Sequence, residues 1–408
     1  ACKKAKRTDD ARKIVSEERT GKQIESAYVW IQKIARQICM ESRPEGNDYL
    51  RKKRIIPFSQ YLNTTIMRNF IVIIGVLLSA CTHRTGEIVP VRKILPVSAV
   101  IADSLYLSFP GQLRVTSKHI LIQTPFSSEG FLKIYDRKTG QESGWTGTVG
   151  GGPGEWTAPS LGNVVDDKIL IFDLNLKKYV MAETNTMYRE ISETGSMKKT
   201  DIQPSTLVFV NDRLLVAADY AETPFKLLSN GVTLPCGQYP FTESVTNTYE
   251  RFQGHLAVHP EKRLIVYGTN DNPYISLYRV QPDGLEQVWE KQFKEADYSI
   301  SDRQLRWGTR QPAGVKEVTF TKDYIACMTE DERNKDNTIT FSMRGREMKI
   351  PLQSIYLFDY EGNLIYQLEP DTYIIRLASD TDSNLLYAVS IHPDFRIVTF
   401  DTDKALNE

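Results

Sequence analysis

Cysteine and histidine are scarce in this sequence, five of each in 408 residues. From Cys81 onward only Cys81, Cys236 and Cys327 remain, with no CxxC pair and no His/Cys spacing of the zinc type. That excludes a disulfide framework and a structural zinc module, and leaves Cys236 and Cys327 as either a pair or two buried thiols. The GK[ST] ending of a P-loop, a GxSxG elbow and an HExxH helix are also missing, so no catalytic residue, metal ligand or cofactor is assigned. No apolar run reaches the ~20 residues of a membrane-spanning helix. Net charge is zero, but only as an average of unlike pieces. Residues 1–66 carry 15 Lys/Arg against 8 Asp/Glu, whereas residues 81–408 carry 35 against 43. The acidic balance of the larger piece argues against nucleic acid as its partner.

One short apolar stretch is present, and it organises the chain. Met67 to Cys81 reads MRNFIVIIGVLLSAC: a positive charge at Arg68, a greasy core from Phe70 to Leu78, then small residues. Those are the parts of a secretory signal, and the core is too short for a permanent span. Leu78-Ser79-Ala80-Cys81 is similar to the lipobox of bacterial lipoproteins. The similarity implies that Cys81 takes a diacylglycerol on sulfur and becomes the first residue after cleavage, an anchor in which each buried methylene contributes ~0.8 kcal/mol. Signal peptides stand at the start of a chain, so residues 1–66 are expected to be an upstream extension and not part of the mature protein. The competing expectation is a basic arm with an amphipathic helix over Ser26 to Cys39, touching nucleic acid or anionic lipid.

Beyond Cys81 one unit recurs. A polar turn leads into an apolar strand at Ser117-Lys118-His119-Ile120-Leu121-Ile122, again at Asp166 to Ile171, at Asn211 to Val216 and at Glu261 to Val266. Looser copies follow at Thr321 to Ala326 and Asp382 to Tyr387. A period of roughly 44–61 residues is that of four-stranded propeller blades. β-Branched and aromatic runs such as Tyr274 to Val280 and Ile355 to Asp359 supply next strands, and most lead into Gly- or Asn-bearing hairpin turns. The sixth unit stops near Asp401, short of an outer strand. Val89 to Leu107, with the strand-like Ser104 to Ser108, is expected to supply it and close the ring.

The lipobox, the six units and Val149-Gly150-Gly151-Gly152-Pro153-Gly154-Glu155-Trp156 after the first unit together resemble the TolB-like six-bladed β-propeller lipoproteins of Bacteroidales. The resemblance implies an all-β fold over residues 81–408, a six-bladed propeller of four-stranded antiparallel blades, preceded by a lipoprotein signal peptide at 67–80. It implies location better than activity. The expected place is the bacterial envelope, lipid-anchored in the outer membrane and facing the periplasm, since Thr82-His83-Arg84-Thr85 lacks an acidic run resembling surface-export signals.

Site candidates are few. The glycines 150–154 suit a close blade-to-blade crossing better than a phosphate cradle, because they do not open a helix. Glu155 and Trp156 could still face the ring's mouth. Trp307 stands in the long polar segment Glu295 to Pro312, away from a clear strand; with Glu155 and Trp156 it forms the candidate ligand-binding set. Trp145 and Trp289 complete the tryptophans weighed as sugar platforms, against the commoner role in a core. His255 and His259, four apart on a strand, share a face, but two ligands without a third are not a metal site. Glu330 to Asp336 reads as a solvated hairpin tip rather than a calcium loop. The expected function is a membrane-anchored, non-catalytic binding or scaffolding propeller for an envelope protein, a small ligand or a glycan. The alternative is an envelope hydrolase or lyase at the propeller mouth.

Overall fold

Near-continuous apolar strands need cover on both faces, and in the computed structural model they get it by stacking radially around an axis. The structure describes residues 90–407, apart from 126, 128–129, 153, 185–196, 212–213, 230, 242–243, 283, 332–335, 344–345 and 392–393. The signal segment, Cys81 and the basic N-terminal piece lie outside the described residues.

The described chain begins with β1 (Val91–Leu95) and β2 (Ala99–Leu105), then builds blades in order. Blade 1 is β3–β6 (Leu113–Val115, His119–Gln123, Leu132–Asp136, Glu142–Thr146). Blade 2 is β7–β10 (Pro159–Val165, Lys168–Asp173, Lys178–Glu183, Lys198–Lys199). Blade 3 is β11–β14 (Thr206–Asn211, Leu214–Ala218, Phe225–Ser229, Val232–Cys236), followed by the single turn of α1 (Thr248–Arg251). Blade 4 is β15–β18 (Gly254–His259, Leu264–Thr269, Tyr274–Gln281, Gly284–Gln292), followed by a hairpin of β19 (Tyr298–Ser301) and β20 (Gln304–Trp307). Blade 5 comprises β21 (Val315–Phe320), β22 (Ile325–Glu330), then an inserted hairpin, β23 (Thr338–Met343) and β24 (Arg346–Pro351), then β25 (Gln353–Phe358) and β26 (Leu364–Pro370). Blade 6 is β27–β29 (Ile374–Ser379, Leu385–Ile391, Phe395–Asp401), capped by α2 (Thr402–Asn407). Each blade is an antiparallel meander running from the axis outward.

Blade 6 lacks a fourth strand of its own. β2 supplies it, pairing antiparallel with β29 from Ala99↔Thr399 to Leu105↔Phe395. The ring is therefore closed by the N-terminal segment, a few residues earlier than Ser104 to Ser108. Ser104 has a positive φ of 54° at one of two bulges in that strand. β1 adds something the repeat did not announce: it pairs parallel with β26 as a fifth strand on blade 5. One continuous segment thus straps two neighbouring blades. Lys93 fastens it further, its Nζ donating to the carbonyls of Ala405 and Leu406 in α2 at 3.3 and 2.7 Å.

The core is divided among the seams. Leu121, Phe131, Trp156 and Ile169 fill the space between blades 1 and 2; Leu264, Phe320 and Phe358 fill that between 4 and 5; Leu95, Leu357 and Phe400 that between 5 and 6. Second strands such as β4 and β16 are buried at every residue, which explains their unbroken apolar runs, while outer β18 alternates and is mostly solvated. Each fully buried Val, Leu, Ile or Phe contributes about 1.5–3 kcal/mol.

The polar turn that marked the repeat has a structural use. At three seams it stitches a blade to its neighbour. Asp167 in blade 2 accepts from the Ser117 N–H at 2.8 Å and its hydroxyl at 2.5 Å in blade 1. Asn384 in blade 6 donates to Asp323 in blade 5 at 2.7 Å. Arg137 of blade 1 pairs with Asp380 of blade 6 and donates to the Tyr387 hydroxyl at 2.7 Å. Cys236 and Cys327 are buried and unpaired, in blades 3 and 5. Among the described residues no helix is long and apolar enough to cross a membrane.

Candidate functional site

The axis of the ring is bounded by the six innermost strands, β3, β7, β11, β15, β21 and β27. Three of them carry a charged side chain in mid-strand: Arg114 in β3, Glu317 in β21 and Arg376 in β27, and β15 carries His255. Blades 1 and 4 stand opposite each other in a ring of six, yet the Arg114 guanidinium opposes protonation of His255. The two side chains therefore act on each other electrostatically across the axis.

These groups join neighbour to neighbour around the channel. Arg376 of blade 6 donates to the Gly111 carbonyl at the entry to blade 1, and to Ile375 O at 2.8 Å. Arg114 of blade 1 donates to Gly162 O and, at 3.1 Å, to Leu161 O in blade 2. Asn163 of blade 2 exchanges two 2.7 Å bonds with the Phe209 backbone of blade 3. Blade 3 reaches blade 4 through the Tyr220 hydroxyl, which accepts from Gly254 N–H at 2.8 Å. His255 Nδ1 lies 3.7 Å from Glu317 Oε2, and Glu317 Oε1 lies 3.9 Å from Arg376 Nε. The last two are ion-pair distances, too long for hydrogen bonds.

Electrostatically the layer is biased to the positive side. Two guanidiniums face one carboxylate. Burial lowers the pKa of His255, Glu317 opposes that, and Arg376, Arg114 and Lys316 add to it, so the imidazole is neutral at pH 7. Burial likewise lowers the pKa of Arg114, with Glu317 opposing and Arg376 adding to the effect. Solvent still reaches the layer: the His255 side chain is 33% exposed and that of Arg376 25%, against 8% for Glu317.

A cavity of about 610 Å³ lies along the same axis. Arg114, Asn163, Leu256, Thr319 and Leu377 of the inner strands line it; His255, Glu317 and Arg376 come one or two residues further along their strands, outside its lining. It opens on the face of the polar turns, where Asp166, Asp167, Glu261, Asp380 and Asp382 make the rim acidic. Among the described residues no three His, Cys, Asp or Glu side chains gather in a metal-holding cluster.

The residues singled out from the sequence lie elsewhere. Trp156 is wholly buried, edge-on to Phe131 at 5.6 Å, with the Lys178 ammonium 4.6 Å above its ring. The expectation that it faces the mouth is corrected: the parallel bridge Val149↔Trp156 turns the ring into the seam of blades 1 and 2. Glu155 folds back over its own loop, accepting from Gly152 N–H at 2.6 Å. A Cβ on Gly150 would stand 2.2 Å from that carboxylate, whereas one on Gly151 would meet nothing within 4 Å. Trp307 packs against Phe241 and Tyr298 in the hairpin between blades 4 and 5. That crossing is three blades away from the one holding Glu155, so the structure does not bring the set together. His259 is wedged between Phe320 and Tyr360 and is not beside His255. Trp289 stacks on Phe358 and donates to Tyr360 O at 2.9 Å, whereas Trp145 is 47% exposed. In Glu330 to Asp336, Asp331 is buried and residues 332–335 lie outside the described residues. Arg114 and Arg376 carried a readable signal that sequence reasoning passed over, a lone charge in a largely apolar inner strand; Glu317 sits beside Lys316 and carried a weaker one.

A ring of six antiparallel blades around a polar axial cavity defines the class as a six-bladed β-propeller. The family model described as TolB-like 6-blade propeller-like matches residues 91–382. The chain belongs to that family. Among solved structures it is similar to a member of the DUF4221 family from Bacteroides vulgatus (11% identity, TM-score 0.52, covering 75% of this chain and 97% of that one). It is also similar to a protein of Bacteroides fragilis (13% identity, TM-score 0.49, 76% and 98%). At such identities the likeness speaks to fold alone. No curated protein matches the chain.

Proposed function

We propose that the chain is a lipid-anchored envelope protein whose propeller is a non-catalytic binding module, taking a small ligand in its axial channel. The observation that carries the binding reading is the polar layer of Arg114, His255, Glu317 and Arg376, of which Arg114 lines a 610 Å³ cavity and the other three stand one or two residues beyond its lining on the same inner strands. Small-molecule sites occupy ~300–1,000 Å³ and pair apolar walls with a few fixed polar groups. Here Leu256, Ala257, Phe320 and Leu377 are the walls and the backbone carbonyls hold the arginines in place. The anchoring reading rests on Met67 to Cys81, with Cys81 as the lipidated residue and the periplasmic face of the outer membrane as its place. The strapped N-terminal segment leaves nine residues between Cys81 and β1, a reach of at most ~30 Å.

A second reading, a hydrolase or lyase centred in the same channel, is favoured by Glu317 and His255 at 3.7 Å, a carboxylate able to orient a neutral imidazole as base. Native mass spectrometry of the protein purified from detergent-solubilised envelopes tests the first. The expected result is an N-terminus at diacylated Cys81 and a non-covalent small-molecule adduct that Arg376→Met abolishes. An N-terminus upstream of Met67 overturns the anchor. An adduct that Arg376→Met retains overturns the channel. A covalently altered ligand, seen only while Glu317 is intact, moves the assignment to the enzyme.

A further inference from the structure

We infer that the ligand of the axial channel is a small hydroxylated carboxylate, of the uronic-acid or hydroxy-acid class, with its carboxylate between Arg114 and Arg376 and a hydroxyl against Glu317 and His255. The inference rests on the channel-binding reading above. It begins with charge. Carbonyl oxygens accept from the guanidiniums but do not neutralise them, and Glu317 compensates one positive charge of two. A confined, uncompensated cation is costly, and an anion relieves that cost.

Geometry then selects the kind of anion. A guanidinium has five N–H donors in a rigid fork. Arg114 spends three of them, on Leu113, Leu161 and Gly162. Arg376 spends two, on Gly111 and Ile375. The remaining donors are held in orientation by those bonds, which suits a planar, two-oxygen acceptor. Glu317 makes no hydrogen bond among the described residues; its two neighbours stand at 3.7 and 3.9 Å. A carboxylate accepts only, and a neutral imidazole offers one donor and one acceptor. Beside the guanidinium forks, that pair asks for a ligand that also donates, which a hydroxyl does.

The rim sets the last limit. Asp166, Glu261 and Asp382 at the mouth turn away an extended polyanion, so the negative charge of the ligand is confined to the end that reaches the arginines. A single carboxylate on a hydroxylated body satisfies the arginines, the Glu317–His255 pair and the rim together.

Isothermal titration of the full chain in detergent, with sodium glucuronate, glucose and inorganic phosphate as probes, tests this. Glucuronate is expected to bind at least ~10-fold more tightly than either of the others, the loss that follows when a charge-assisted hydrogen bond is removed. Arg376→Met and Glu317→Gln should each weaken glucuronate by ~10-fold or more, with Arg376→Lys recovering part of the loss and circular dichroism unchanged throughout. Glucose binding as well as glucuronate overturns the anion assignment while leaving channel binding intact. Phosphate binding as well as glucuronate, with Glu317→Gln harmless, overturns the hydroxyl assignment. No binding of any probe overturns the class, and the small-molecule adduct sought by native mass spectrometry then decides separately whether the channel binds at all.

Discussion

His259 makes the fold sensitive to mild acid. The ring is 2% exposed, edge-on to Phe320 at 5.7 Å and to Tyr360 at 6.0 Å, with the Lys262 ammonium 3.5 Å from the Tyr360 ring centre. Burial pushes its pKa down from 6.5 to about 4, Lys262 adds to the shift and Asp382 opposes it. The unfolded chain therefore takes up the proton first, and stability present at neutral pH is lost as pH falls from about 6.5 to about 4. Integrating between pH 7 and pH 4.5 gives a loss of about 2 kcal/mol from this one group. With an unfolding entropy of ~2.1 cal/mol/K per residue over the propeller, that is a fall in Tm of about 3–4 °C. His259→Phe keeps the aromatic packing and removes the proton. Thermal unfolding of the full chain, followed by circular dichroism at both pH values, should show the wild type losing those extra degrees and the variant not. His119 and His255 are shifted downward too and remain in both proteins, so the difference isolates His259. Asp136, Asp167 and Asp173, each held below 3.8 largely by hydrogen bonds to backbone N–H or hydroxyl groups, lose stability mainly below this window. If the two Tm curves run parallel from pH 7 to pH 4.5, the ring is not desolvated as described.

The strap yields a graded pair of deletions. Removing residues 91–95 takes a fifth strand from a complete blade and should cost a few kcal/mol at ~0.5–1.5 kcal/mol per hydrogen bond; removing 91–105 opens the ring and should broaden the denaturant transition, with a lower m-value. Equal effects of the two deletions in urea titrations would refute the closure. Trp156→Ala should destabilise by about 3–5 kcal/mol as a core truncation, read by urea unfolding. Unchanged stability with lost ligand binding would return that ring to the mouth.

Most of the architecture was legible because blade seams impose a simple pattern. A second strand buried on both faces must be apolar throughout, and the turn before it must be polar to reach the neighbouring blade; Lys168–Asp173 and Leu264–Thr269 show both. What hid was whatever broke that pattern. β1 reads as five ordinary residues, and its partner is 275 positions away at Val91↔Tyr366. The β19–β20 hairpin turns at Asp302 and Arg303, with φ of 52° and 60°, where no Asn-Gly pair signals it. The channel layer was obscured by a different fact. Its members are 59 positions apart or more, and only ring closure brings Arg114 and Arg376 to one axis. Trp156 was misplaced because a glycine-rich loop ending in an aromatic looks the same from sequence whether the ring turns out to a mouth or into a seam.

The pairing of Ala99 with Thr399 also has a meaning in time. A chain made or exported from its N-terminal end presents the closing strand first and its partner last, some 300 residues later. Until β29 arrives, β2 has no place to go, and blade 6 cannot be completed by any shorter chain. The seam thus acts as a test of completeness: a truncated product keeps an open sheet edge, the feature that draws chains into aggregation and proteases to unfinished ones. Only the whole molecule can hide it.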